Sequence, residues 1–234
     1  MSTALPVELD DIQGLVRFGY KHHTEASFLL LRVRDRDAAR RWLAAVPVST
    51  AEAIEPPPAT ALQVAFSAEG LRALGVADAI VDDFAADFVS GMSNDANRAR
   101  RLGDVGANDP GRWQWGSAAR VPHVLVLLYA LPGRLAGFQG SIEAQCKGGF
   151  DKLECLATSN LDGIEPFGFM DGISQPLLDW ERRRPARDAE RKDYSNLSCL
   201  GEYLLGYLNE YGGYTDRPRL DPELAGPRLP RPED

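Results

Sequence analysis

The run VLVLLYAL, residues 124–131, sets the first bound on the fold. It is too short to span a bilayer and long enough for a buried strand. Pro132 and Gly133 end it at once. Extended by His123, it is the third of four such segments. ASFLLLRVRD (26–35) and ALQVAFS (61–67) read as the first two strands. DKLECLAT (151–158) reads as the fourth, with Leu153, Cys155 and Ala157 alternating. Helical spacing falls between them. DAARRWLAAV (37–46) puts Ala39, Trp42, Leu43 and Val46 on one side. AEGLRAL follows Ser67, a good capping residue, and stops at Gly75. RLAGFQGSIEAQC (134–146) is a weaker helix with two internal glycines. The order β-α-β, insertion, β-α-β is the ferredoxin-like split βαβ pattern. It predicts an α+β fold with helices on one face of an antiparallel sheet.

The insertion, Asp78 to Gly116, has no dominant period; it ends in a polar loop with Trp113 and Trp115. After about Thr158 the character changes again. A charged stretch, ERRRPARDAERKD (181–193), precedes the aromatic, glycine-rich GEYLLGYLNEYGGYTDRP (201–218). The last stretch, RPRLDPELAGPRLPRPED, holds five prolines and reads as an extended arm. The chain thus divides into a ferredoxin-like domain at 1–158 and an extended segment at 159–234. That segment holds little that builds a second core, and it is expected to wrap against something else.

Charge narrows the partners. A net charge of −8 and a pI near 5.0 argue against nucleic acid and anionic membrane, which want a basic face. MSTALPVELDD carries no basic stretch and no apolar h-region. Cys146, Cys155 and Cys199 are odd in number and lack paired spacing. Both points lead us to expect a cytoplasmic protein.

EPFGFMDGISQP (165–176) places one carboxylate, Asp171, near two glycines and beside Phe169, Met170 and Ile173. Asp-Gly is a common turn, which by itself explains the pair. The other explanation is a backbone that runs close to a flat ligand, with the apolar side chains in contact and the carboxylate partly desolvated for acid–base work. His22 and His23 are expected to be solvated on a loop, and His123 to be structural. No metal-ligand spacing links them. Trp113 and Trp115 are expected to pack, and Arg182, Arg183 and Arg184 to form a solvated face among Glu and Asp. GxSxG, Walker and HExxH motifs are absent from the sequence.

At GFMDG the chain resembles the dye-decolorizing peroxidase (DyP-type) family of haem enzymes. Its GxxDG signature is matched by Gly168, Asp171 and Gly172. DDIQGLVRFGY (10–20), VAFSAEGLRALGV (64–76) and GEYLLGYLNEYGGYTDRP resemble other blocks of the family in the same order. The resemblance implies two ferredoxin-like domains, haem b in the C-terminal one, and reaction with hydrogen peroxide. It implies that Asp171 is the distal catalytic residue, taking a proton from peroxide and returning it to the leaving oxygen. Gly168, Phe169, Met170, Gly172, Ile173, Ser174 and Gln175 would line the cofactor. A bulky dye- or phenol-like reductant would supply the electrons.

The family's proximal histidine and the arginine beside the distal aspartate belong to a C-terminal half that the match does not reach. None of the three histidines here corresponds to the proximal one. The expectation is therefore one subunit of a split peroxidase, whose haem is shared with a second chain that carries the axial ligand. A haem-free truncated homologue acting as a scaffold or regulatory module is the alternative, and a fragment of a longer gene a third.

Overall fold

The computed structural model describes residues 7–159, 161–170, 172, 175–182 and 196–218. Strands β1 (Glu25–Val33), β2 (Thr60–Phe66), β3 (Val124–Ala130) and β4 (Phe150–Ala157) form one sheet in the order β2-β3-β1-β4. Every pairing in it is antiparallel. Helices α1 (Arg36–Ala45) and α6 (Leu135–Cys146) cross over from β1 to β2 and from β3 to β4. This is the ferredoxin-like α+β arrangement predicted from the chain order.

Two-residue periodicity sorts each strand between two faces. On β3, Val124, Val126, Leu128 and Ala130 are all 0% exposed, while Leu125, Leu127 and Tyr129 between them are half-buried. Val124, Val126 and Leu128 meet Leu29 and Leu31 of β1, Leu62 and Val64 of β2, and Trp42, Ile142, Cys146 and Phe150. That is the core, filled from the helical side. Trp42 and Phe150 meet edge to face at 5.5 Å.

Local chemistry fixes the helices. Asp35 accepts from the Ala38 amide (2.8 Å) to start α1, and Ser67 from that of Gly70 (3.0 Å) to start α2 (Ala68–Ala73). The weakly patterned α6 has no cap of its own. Glu25 of β1 supplies one, accepting from the amides of Gly133 (2.8 Å) and Leu135 (3.2 Å). These backbone bonds hold the Glu25 carboxyl below its usual range. Gly70 is required for another reason: a Cβ there would stand 1.9 Å from the His123 carbonyl oxygen.

The insertion is built from short helices without apolar periodicity: α3 (Asp78–Val81), α4 (Ala86–Ser90) and α5 (Ala96–Leu102). Polar contacts join them. Arg72 bridges Glu69, Asp78 and Asp82 at 3.0, 3.2 and 2.6 Å, and Arg98 pairs with Asp87.

The second sheet face is apolar as well. Phe28, Leu30, Leu125, Leu127, Tyr129 and Leu156 lie on it, set by the registers Phe28↔Leu127 and Phe28↔Leu156. The segment at 13–23 covers one end. Tyr20 stacks on Tyr129 at 4.9 Å, and Gln63, 2% exposed, donates to the Tyr20 hydroxyl (3.0 Å) and the Ser49 carbonyl (3.1 Å). Burial raises the pKa of both tyrosines.

Beyond Thr158, part of the chain lies back on this segment. Leu177–Leu178 (β5) and Leu197–Ser198 (β6) pair in parallel, and Asp179, Cys199 and Leu200 are buried. The Arg17 guanidinium stands 5.8 Å from the Trp180 ring centre. The proline-rich arm falls largely at 219–234, outside the described residues. Among the described residues, no helix is long and apolar enough to cross a membrane.

Two measurements check this account. Leu128→Ala is expected to lower the unfolding free energy by about 2–5 kcal/mol in denaturant titrations, the usual range for a buried leucine. Glu25→Gln is expected to lower the melting temperature at pH 7. Because the Glu25 pKa is depressed in the fold, its contribution is present above the unfolded value and lost as pH falls through the folded one. The gap to the wild-type protein should close in acid.

Candidate functional site

A three-residue hairpin connection carries the GFMDG stretch. Gly168 donates to the Glu165 carbonyl at 2.8 Å, and Glu165 donates to that of Phe169 at 2.7 Å. Ile164 and Met170 face each other across an antiparallel bridge. Pro166 suits the second position of the turn because its ring presets φ. Gly168 follows in the left-handed region, with φ +87°, as such connections require. Gly172 is also left-handed, with φ +78°. A Cβ on either glycine would meet no atom of the described residues within 4 Å. Backbone conformation, with no close neighbour among the described residues, therefore explains the two glycines.

The hairpin turns its apolar side chains outward. Phe167 is 88% exposed, Phe169 71% and Met170 68%. Leu161 and Ile164 are exposed beside them. Burying a side chain of the Phe or Met kind contributes about 1.5–3 kcal/mol. The hairpin is thus a ready contact surface for an apolar body. Phe167 escaped the sequence reading, although its place behind Pro166 in an E-P-F-G turn marks it as the tip. Gly172 and Gln175 are exposed. Asp171, Ile173 and Ser174 lie outside the described residues.

The histidines are placed elsewhere. His22 is exposed, but His23 is buried, against the expectation of a solvated pair. Its Nε2 lies 2.9 Å from the Pro58 carbonyl, and its ring meets Tyr20 edge to face at 5.3 Å. The tight turn at Tyr20, with φ +47°, folds the loop inward and carries His23 with it. His123 Nδ1 accepts from the Val33 amide at 3.1 Å. Burial, with the Arg32 charge adding, lowers its pKa and favours the neutral ring that can accept. Trp113 is partly buried and donates from Nε1 to the Asn108 carbonyl at 3.0 Å, while Trp115 is 40% exposed. Arg182 lies near the Tyr207 ring, at 5.9 Å, and Arg183 and Arg184 fall outside the described residues.

Comparison with known proteins agrees with the architecture. A family model described as the DyP dimeric alpha+beta barrel domain matches residues 11–130. The chain is 29% identical over 220 residues to dye-decolorizing peroxidase msp1 of Mycetinis scorodonius, covering 89% of this chain and 40% of that protein. It is 33% identical over 184 residues to a dye-decolorizing peroxidase of Mycena epipterygia, covering 74% and 33%. Among solved structures, a fungal DyP-type peroxidase from Auricularia auricula-judae superposes with a TM-score of 0.60 at 27% identity, covering 78% of this chain and 40% of that one. The chain thus spans well under half the length of these relatives. With the family model covering half of its residues and the sheet in the expected order, the chain belongs to the dye-decolorizing peroxidase family.

Proposed function

We propose that this chain supplies the aspartate-bearing wall of a haem peroxidase that reduces hydrogen peroxide and oxidises a bulky dye- or phenol-like reductant. One observation carries the proposal: a hairpin turning on the left-handed Gly168 presents Phe169 and Met170 to the outside, next to Asp171 in the chain. The relatives' names, dye-decolorizing peroxidases, support the reaction class.

A flat macrocycle asks for an apolar wall and for room beside the backbone. The exposed Phe169 and Met170 support the first need, and the space at Gly168 and Gly172 among the described residues supports the second. Gly168, Phe169, Met170, Gly172, Ile173, Ser174 and Gln175 would hold haem b there. The axial ligand is a separate requirement. His23 and His123 are already engaged with Pro58 and Val33. We assign the axial histidine, and an arginine beside the aspartate, to a C-terminal DyP half on a second chain. The half-buried apolar sheet face at Phe28, Leu127 and Leu156 supports a second α+β domain packing there.

Haem, when bound, supplies the redox-active iron. The chain's own task is to move a proton. A carboxylate oxygen of Asp171 takes the proton from one oxygen of hydrogen peroxide and returns it to the oxygen that leaves as water. The group must be ionised to begin, so activity should be lost as pH falls below the ordinary carboxylate range of about 4. Phe169 and Met170 keep water from the reacting face. The exposed hairpin equally favours a second function, that of a haem-free scaffold or regulatory module which docks a partner by Phe167, Phe169 and Met170.

Asp171→Asn, in the assembled protein, is expected to retain the Soret band while peroxide reactivity drops by about 100-fold or more, the scale of a lost general base. Unchanged turnover would remove Asp171 from the mechanism. A Soret band that needs co-expression with the C-terminal half supports the shared site, and one in the isolated chain opposes it. If haem is absent from both preparations, the docking module stands. Gly168→Ala forces a side chain into the left-handed region at about 1–2 kcal/mol. It is expected to reduce haem loading while leaving the melting of the sheet domain nearly unchanged, as followed by circular dichroism.

A further inference from the structure

Away from the hairpin, a groove of about 780 Å³ opens at the end of β2 and β3, where the covering segment at 13–23 does not lie. Its lining includes Phe66, Met92, Trp113, Gln114, Trp115 and Leu125. Ala65 and Leu125 form a cross-strand pair in that lining, and the small Ala65 side chain gives depth beside leucine. Met92 is 54% exposed and Trp115 40% exposed, although both are large and apolar.

The walls are held before any ligand arrives. Gly116 donates to the Arg120 carbonyl (2.9 Å), Trp113 donates from Nε1 to that of Asn108 (3.0 Å), and Ser67 Oγ to that of Pro122 (2.7 Å). Arg32 and Arg120 tie the following turn to the sheet at Ala119 and Leu153, each at 3.4 Å. A preformed wall loses little freedom when it binds. Two polar groups remain free at the groove: the Gln114 carboxamide and the Trp115 indole N–H make no hydrogen bond among the described residues. An apolar aromatic slot with a few convergent polar groups is the ordinary form of a small-molecule site, and its volume lies in the range of such sites, about 300–1,000 Å³.

We infer that this groove binds a planar aromatic molecule of two or more fused rings bearing a hydroxyl or similar polar substituent. The rings stack on Trp115 and pack against Phe66, Met92 and Leu125, and the substituent meets Gln114 or the Trp115 N–H. The site needs no haem, so it stands or falls apart from the peroxidase proposal.

Titration calorimetry of the isolated chain with 2-naphthol tests it. Saturable one-to-one binding is expected. The saturated analogue decahydro-2-naphthol has similar apolar bulk but no ring face, and should bind about three- to tenfold more weakly, the scale of one aromatic pair. Trp115→Leu should weaken 2-naphthol by a similar factor and leave the decahydro compound nearly unaffected. Met92→Ala and Gln114→Ala provide independent variants should Trp115→Leu disturb folding, as judged by thermal melting; each should weaken 2-naphthol. Equal affinity for the two compounds, or full affinity in the folded variants, overturns the site. If sedimentation shows that Trp115→Leu dissolves a dimer while naphthol binding is unchanged, a second copy occupies the groove, and the small-molecule assignment falls.

Discussion

The sheet has two apolar faces and helices for only one of them. Alternation on β3 shows the imbalance, with Val124, Val126 and Leu128 sealed under α1 and α6 and Leu125, Leu127 and Tyr129 half-covered on the other side. Antiparallel sheets usually present a polar outer face to water. Here the segment at 13–23 covers the Tyr129 end, and the Leu125 end opens into the tryptophan groove. The projecting hairpin repeats the theme, since Phe167, Phe169 and Met170 also stand without cover from the described chain. These surfaces are what the proposed haem wall and the proposed second domain have in common.

Much of this fold was legible in the residues. The run ALQVAFS became Thr60–Phe66, and HVLVLLYAL became Val124–Ala130, because apolar β-branched and leucine runs bounded by Pro and Gly have few other uses. Ser67 caps its helix as its position implied. The insertion was not legible in detail. Helices of four to seven residues, tied by Arg72 and Arg98 and each burying at most one residue such as Val81 or Ala99, leave no period to read. Likewise, α6 forms despite Gly137 and Gly140 because Glu25, 110 residues earlier than Leu135, satisfies its first amides. No local pattern announces a partner that distant.

The site was legible as a motif and less so as geometry. For Gly168 and Gly172 the residues left both a plain turn and close approach to a ligand open, and the positive φ of each accords with a turn. His23 was placed in solvent by its neighbourhood, yet the inward fold at Tyr20 buries it against Pro58. A left-handed tyrosine has no reliable sequence signal, so the error follows from backbone conformation and not from histidine chemistry.

The amide of Gln13 has a wider effect. Its oxygen takes the Val64 N–H and its nitrogen the Val64 carbonyl, both at 2.8 Å, on an edge strand. Ser49 does the same for Leu62 through its hydroxyl (3.1 Å) and its backbone N–H (2.9 Å). The outward groups of both residues on β2 are thereby consumed. An unpaired sheet margin is a template on which further strands can grow into fibres. Two side chains from neighbouring loops close that margin, so this apolar sheet resists lateral polymerisation along β2 even where its broad face stays sticky.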